Sequence, residues 1–216
     1  MGNNITELVF ILDRSGSMAP LRSDAVGGFN ALIEKQKRQE GTCLVTTVLF
    51  DTRLDRLHDR TPLEDVKPLA EDDYVPGGCT ALLDAVGDTV RHIASIHRYA
   101  RPEDVPERTL FVITTDGLEN ASRRYTRERV RELVEHEQEK YGWQFLFLGA
   151  NIDAFAAAGG IGIRPEMASN FVADAEGMEL NFGAVGRAVS RIRCSMPMTA
   201  DWKADVEADH RRRGKR

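Results

Sequence analysis

Leu8-Val9-Phe10-Ile11-Leu12 runs straight into Asp13-Arg14-Ser15-Gly16-Ser17, and that junction decides how the rest of the chain reads. The apolar run reads as a strand buried on both faces, the kind found in parallel sheets. A carboxylate follows it, then hydroxyls at alternate positions, with Gly16 to let the loop turn tightly. Hard oxygen donors at a strand end suit a hard divalent cation. Asp, Ser and Gly are also the ordinary turn residues, so the segment alone fits a polar turn equally well.

Working outward, apolar runs alternate with amphipathic segments. Cys43 to Phe50 is rich in Val and Thr and ends at Asp51; Thr109 to Thr115 ends at Asp116; Trp143 to Leu148 ends at Gly149-Ala150-Asn151. Arg53 to Arg60 sets Leu54 and Leu57 among charges and reads as an exposed edge strand, and a last short strand falls near Ala168 to Val172. Leu21, Ala25, Phe29 and Leu32 recur at helical spacing, as do Leu82, Val86, Val90 and Ile93. Further helices are expected over Thr126–Tyr141, over Asp153–Ala158 with a stop at Gly159-Gly160, and over Gly177–Cys194. This alternation predicts one α/β domain over residues 5–195. It is a three-layer, doubly wound sheet of about six strands, mostly parallel with one antiparallel edge strand, and helices on both faces. Residues 196–216 read as a charged tail, frayed and solvated, and its closing Arg211-Arg212-Arg213-Gly214-Lys215-Arg216 leaves open a contact with an acidic partner or nucleic acid.

Composition narrows the function classes. The 216 residues carry a formal net charge of −5, which argues against a general nucleic-acid binder. No stretch approaches the roughly 20 apolar residues of a membrane span, and no signal peptide opens the chain. Three scattered cysteines, Cys43, Cys79 and Cys194, form neither a disulfide framework nor a zinc cluster, so a reducing cytoplasm is the expected setting. Cys43 and Cys79 read as packing residues.

In open parallel sheets ligands sit beyond the carboxyl ends of the strands, where the strand order reverses. If the first strand and the Thr109–Thr115 strand flank that reversal, Asp13 and Asp116 face each other across one crevice. Two carboxylates so placed repel unless a cation lies between them. Pro76-Gly77-Gly78-Cys79-Thr80 adds a further polar loop; Thr80 stands where the next helix begins and is also a plain N-cap candidate.

Asp13-x-Ser15-x-Ser17, Thr80 in a Gly-Gly-x-Thr turn, and Thr115-Asp116-Gly117, in that order, resemble the von Willebrand factor A family, in particular its standalone intracellular bacterial type. The resemblance covers nearly the whole chain. It implies a metal-ion-dependent adhesion site. Ser15, Ser17 and Thr80 would offer hydroxyls, and Asp13 and Asp116 would hold Mg²⁺ (or Mn²⁺ or Ca²⁺) directly or through water. A position left to water could then be taken by an Asp or Glu of a partner protein. Arg14, Glu119 and Asn120 would rim the site, and Arg123, Arg124 and Tyr125 form a basic-aromatic patch near the same face. Intracellular members often work beside ATPases, chelatases or stress-response systems, and the resemblance does not choose among these.

An enzyme needs an acid, a base or a nucleophile. His58, His92, His97, His136 and His210 all fall away from the predicted strand ends, so Ser15 and Ser17 lack an obvious base. No phosphate-binding glycine fingerprint occurs. A metal-dependent hydrolase at Asp13 and Asp116 is the alternative to a non-catalytic binding module, and a scaffold whose metal only stabilises the fold is a third reading.

Overall fold

The computed structural model describes residues 4–213. Its six strands are β1 (Thr6–Asp13), β2 (Cys43–Phe50), β3 (Leu54–Pro62), β4 (Arg108–Thr115), β5 (Gln144–Gly149) and β6 (Ala168–Asn170). Its six α-helices are α1 (Arg22–Lys37), α2 (Leu82–Tyr99), α3 (Arg127–Tyr141), α4 (Ala154–Gly160), α5 (Ala175–Arg193) and α6 (Ala204–Arg213). The sheet runs β3-β2-β1-β4-β5-β6. All neighbours are parallel except β2 and β3. The order reverses between β1 and β4, which pair directly from Thr6↔Arg108 to Leu12↔Thr114.

Burial on both faces explains the unbroken apolar runs. Leu8, Val9, Phe10 and Ile11 are all fully buried, as are Leu110, Phe111 and Ile113. Alternation along the strand sends successive side chains to opposite helical layers. Phe10 meets Phe29 of α1 edge to face at 5.4 Å, while Phe111 stacks on Trp143 at 5.3 Å. Helices α1 and α5 pack together on one face, and α2 with α3 on the other. Side chains set the helix starts: Thr126, Asp153 and Asp174 accept the backbone N–H groups of Arg129, Ala156 and Gly177. At the amino end of β1 the sheet buries one carboxylate, Glu7, which is met by Arg60 Nε at 2.9 Å and His97 Nε2 at 2.6 Å.

The end of the chain departs from the expected solvated tail. Residues Ala200–Lys203 form a 3₁₀ turn that runs into α6, which packs on α5 and on the edge strand β6. Trp202 and Val206 are 2% and 1% exposed. Their spacing of four puts both on one face of the turn-helix segment. Trp202 Nε1 donates to the Glu166 carbonyl at 3.0 Å, and Lys203 Nζ donates to the Pro165 and Ala168 carbonyls. The basic cluster is likewise engaged: Arg212 pairs with Asp209 and Glu176, and Arg213 with Asp209 and Asp174. Only Gly214, Lys215 and Arg216 of the expected tail lie outside the described residues. Abundant surface charge hid a two-residue apolar anchor, and covering β6 also shields an edge that would otherwise invite strand pairing.

Two outcomes follow for this segment. Trp202→Ala should lower stability by about 3–5 kcal/mol, the usual loss for a deleted core aromatic, measurable by urea unfolding. The second concerns Asp209, whose hydrogen bonds from Arg213, with those from Arg212, hold its carboxyl down at about 2. A carboxyl depressed on folding stabilises the fold while ionised. That contribution is complete above the ordinary carboxylate range and is lost as pH falls toward about 2. Acid titration of the melting temperature should therefore be shallower in Asp209→Asn than in the parent.

Candidate metal centre

Three loops meet beyond the carboxyl ends of β1 and β4. They are residues 13–17 after β1, residues 74–81 before α2, and residues 116–122 after β4. Backbone hydrogen bonds lock them together: Gly77 N donates to the Arg14 carbonyl, Gly16 N to the Gly78 carbonyl and Asn120 N to the Thr80 carbonyl. Gly78 has a φ of +64°, and a Cβ there would stand 2.7 Å from the Thr52 hydroxyl, so the turn admits only glycine without rearrangement.

The predicted ligand residues converge. Asp13 and Asp116 are 1% and 4% exposed. Asp13 Oδ1 accepts Ser15 N at 2.7 Å and its Oδ2 accepts the Thr115 hydroxyl at 2.5 Å. The Ser17 hydroxyl donates to Asp116 Oδ1 at 2.6 Å and lies 3.2 Å from Ser15 Oγ. A Cβ on Gly117 would fall 3.2 Å from Thr80 Oγ1 and 3.9 Å from Ser17 Oγ, which brings the Thr80 and Ser17 hydroxyls close to the same point beside Gly117. Tyr74 closes the floor by donating its hydroxyl to the Asp13 carbonyl.

Electrostatics single out the same pair. Burial raises the Asp13 carboxyl above its ordinary range, and the charge of Asp116 raises it further. Burial raises Asp116 as well, against the hydrogen bond from Ser17. Among the described residues neither carboxylate takes part in an ion pair. Arg14, the one cation in the β1 loop, turns away to Asp51 and Asp55. Among the described residues no group of three or more His, Cys, Asp or Glu side chains is placed to hold a metal. The donor set here is of another kind: two buried, uncompensated carboxylates and three neutral hydroxyls. These are hard oxygen ligands that fit Mg²⁺ or Mn²⁺.

Thr80 also loses its ordinary explanation. The N-cap of α2 is Ala81, with no side-chain cap of its own. The free amides of that helix are taken from the other loop: Leu83 N donates to Glu119 Oε2 at 2.8 Å and Asp84 N to Ser122 Oγ at 3.0 Å.

The expected rim is rearranged. Glu119 turns inward, accepting the amides of Leu83, Ala121 and Ser122 and the Ser122 hydroxyl. Asn120 braces Thr80, whose amide donates to Asn120 Oδ1. Arg14 is held by its two carboxylates. Arg123, Arg124 and Tyr125 are pinned through their amides to the Asp84 carboxylate. Cys79 is exposed rather than packed, because its amide is fixed on the Thr52 hydroxyl and its side chain is left outward. The residues that do stand out are ones the sequence reading passed over. Val75 is 56% exposed and Leu118 is 67% exposed. Each sits on a loop that carries a predicted ligand residue, and a large apolar side chain on a polar loop was the signal for them.

Comparison with solved structures decides the fold family. A von Willebrand factor type A structure from Catenulispora acidiphila superposes with a TM-score of 0.57 at 12% identity, covering 84% of this chain and 42% of that one. The fold is that of the von Willebrand factor A domains. The von Willebrand factor domain of the pilus tip protein Mfa5 from Porphyromonas gingivalis superposes with a TM-score of 0.60 at 10% identity, over 90% of this chain and 97% of the other. Proximal thread matrix protein 1 of the mussel byssus gives 0.60 at 17% identity over 86% of this chain, which spans about half (46%) of the mussel protein. A further structure of the mussel protein has a zinc-occupied MIDAS motif, and the Plasmodium vivax TRAP protein, with a TM-score of 0.57 at 18% identity over 83% of this chain and 72% of that one, is manganese-loaded. No family model matches the chain, and neither does any curated protein.

Asp116→Asn separates metal binding from folding. Without metal it removes one of two repelling buried charges, so its melting temperature in EDTA should equal or exceed that of the parent. The parent should gain about 2–3 kcal/mol when Mg²⁺ or Mn²⁺ reaches about 100 times its dissociation constant, and the variant should gain nothing. Glu119→Ala should behave oppositely. Stripping the α2 start of its borrowed cap should lower stability by about 1–2 kcal/mol in EDTA and in metal alike. Thermal melts of the three proteins check both.

Proposed function

We propose that this von Willebrand factor A domain is a divalent-cation-dependent protein-binding module that captures an acidic residue of a partner. The observation that carries the reading is the pair of buried, uncompensated carboxylates, Asp13 and Asp116, in a nest of neutral hydroxyls. Asp13, Ser15, Ser17, Thr80 and Asp116 would hold Mg²⁺, Mn²⁺ or Ca²⁺. Once bound, the ion supplies an electrophilic position that a carboxylate oxygen from outside can occupy.

The chain's own residues favour that use. Two carboxylates balance a doubly charged ion without overcompensating it, and the hydroxyls of Ser15, Ser17 and Thr80 add oxygen without further negative charge. An incoming Asp or Glu therefore meets no excess of like charge. Arg14, tied to Asp51 and Asp55, leaves the approach open. Val75 and Leu118, exposed on the Thr80 and Asp116 loops, offer apolar contact, so the partner's acidic residue is expected next to apolar side chains.

Binding without turnover is the favoured form. His58 lies on β3, His92 and His97 pair with Asp59 and Glu7, His136 packs beside Tyr141, and His210 lies on α6. No observation favours the hydrolase reading. A cytoplasmic setting, with a multiprotein ATPase, chelatase or stress-response assembly as the partner system, is the biological form proposed. Among the described residues no helix is long and apolar enough to cross a membrane.

The test is capture from the native host by immobilised protein in Mg²⁺, in EDTA, and by Thr80→Ala in Mg²⁺. A partner retained only by the parent in Mg²⁺, and lost when its own surface acid is replaced, is the expected result. Retention of every captured protein in EDTA and by the variant would overturn the proposal.

A further inference from the structure

At the other end of the sheet, away from the metal centre, a cavity of about 440 Å³ opens between the C-terminal half of α2 and the end of α3. The approaches to β4 and β5 contribute Pro106 and Trp143 to its wall. Ala94, Val105 and Tyr141 complete an apolar and aromatic lining. The volume lies within the range of small-molecule sites, roughly 300–1,000 Å³.

The wall is rigid. Trp143 is 5% exposed, stacked on Phe111 at 5.3 Å and met edge-on by His97 at 5.2 Å. Into this cavity comes Glu137, itself only 5% exposed. Its Oε2 is fully buried and has no hydrogen-bond partner. Burial raises the carboxyl above its ordinary range, against the opposing pull of His136, His97, Arg98 and Lys140.

None of those groups satisfies it. Among the described residues no ion pair reaches Glu137. His97 spends its Nε2 on Glu7, at 2.6 Å. Lys140, one helical turn along α3, lies over the Tyr141 ring at 5.1 Å. Arg98 and His136 are exposed. The lining thus runs from the buried, unmatched Glu137 carboxylate to the exposed Arg98 and Lys140, with Trp143 in the same wall. A buried carboxylate oxygen left unpaired is costly, and on an interior helix face an apolar residue would be more stable. The arrangement makes physical sense when a group from outside completes it.

We propose that this cavity binds a small zwitterion of amino-acid type. Its ammonium pairs with Glu137, its anionic group meets Arg98 and Lys140, and its apolar portion lies against Trp143. An ammonium alone would answer Glu137 but meet Arg98 and Lys140, and an anion alone would bring a second negative charge toward a buried carboxylate. Only a molecule carrying both charges answers both. The site does not depend on the metal centre.

Trp143 provides the readout. The chain has two tryptophans, and Trp202 lies in the turn that precedes α6, so Trp202→Phe leaves Trp143 as the sole tryptophan emitter. The full chain in EDTA is titrated with L-phenylalanine, phenethylamine and phenylacetate, none of which emits in the tryptophan window. Phenylalanine should give a saturable change in Trp143 emission, with the other two at least about tenfold weaker. Glu137→Gln should weaken phenylalanine at least about tenfold while its melting temperature stays level or rises. Should Trp202→Phe fail to fold, titration calorimetry on the otherwise unaltered chain and on Glu137→Gln reads the same comparison. No saturable binding of phenylalanine up to about 10 mM, equal binding by phenethylamine or phenylacetate, or undiminished binding by Glu137→Gln would each overturn the proposal.

Discussion

Asp13 and Asp116 are sealed almost completely from water with no positive charge beside them, and the upper end of the molecule is organised around that constraint. Parallel pairing of β1 with β4 fixes their separation, because the reversal of strand order makes these two strands neighbours with no crossover between their ends. A buried pair of like charges is unfavourable by several kcal/mol unless it shares a proton or a cation. Thr115, the Ser15 amide and Ser17 soften the cost with hydrogen bonds but supply no countercharge. The fold thus holds an electrostatic debt that a divalent ion would cancel.

The neighbouring loops keep that state intact. Arg14 could neutralise the pair and instead is bound by Asp51 and Asp55. Thr80 could spend its hydroxyl on the start of α2, yet Glu119 and Ser122 reach across from the β4 loop to take those amides. The same carboxylate folds its own loop through Ala121 and Ser122. One side chain therefore ties the Thr80 and Asp116 loops together and frees the Thr80 hydroxyl. The acidic residues near the centre divide by function: two are exposed to each other, while the others are consumed by amides and by arginine.

The strands and most helices were legible because their information is local. Cys43–Phe50 is an apolar run bounded by turn residues, and Thr126 and Asp153 announce their helices as side-chain caps. Strand–helix alternation put Asp13 and Asp116 at the ends of strands flanking one crevice, whereas the grouping of Ser15, Ser17 and Thr80 with them came from the resemblance to the von Willebrand factor A family. What escaped reading depends on long-range partners. Glu119 read as a rim acid because its amide donor on α2, Leu83, lies 36 positions away. Tyr74 gave no hint that it would bond the Asp13 carbonyl, 61 positions back. The closing helix was missed because Trp202 and Val206 are two apolar residues in a run of charge, too few to register as a periodic face.

The central claim is that the Asp13 and Asp116 carboxylates share a divalent cation, and anomalous diffraction from crystals grown in Mn²⁺ tests it most directly. The account predicts a single strong manganese peak between the two carboxylates, with the hydroxyl oxygens of Ser15, Ser17 or Thr80 within about 2.0–2.4 Å or joined to it through water. A clean map at that position, with Asp13 and Asp116 in the same loops and manganese absent or bound elsewhere, would contradict it.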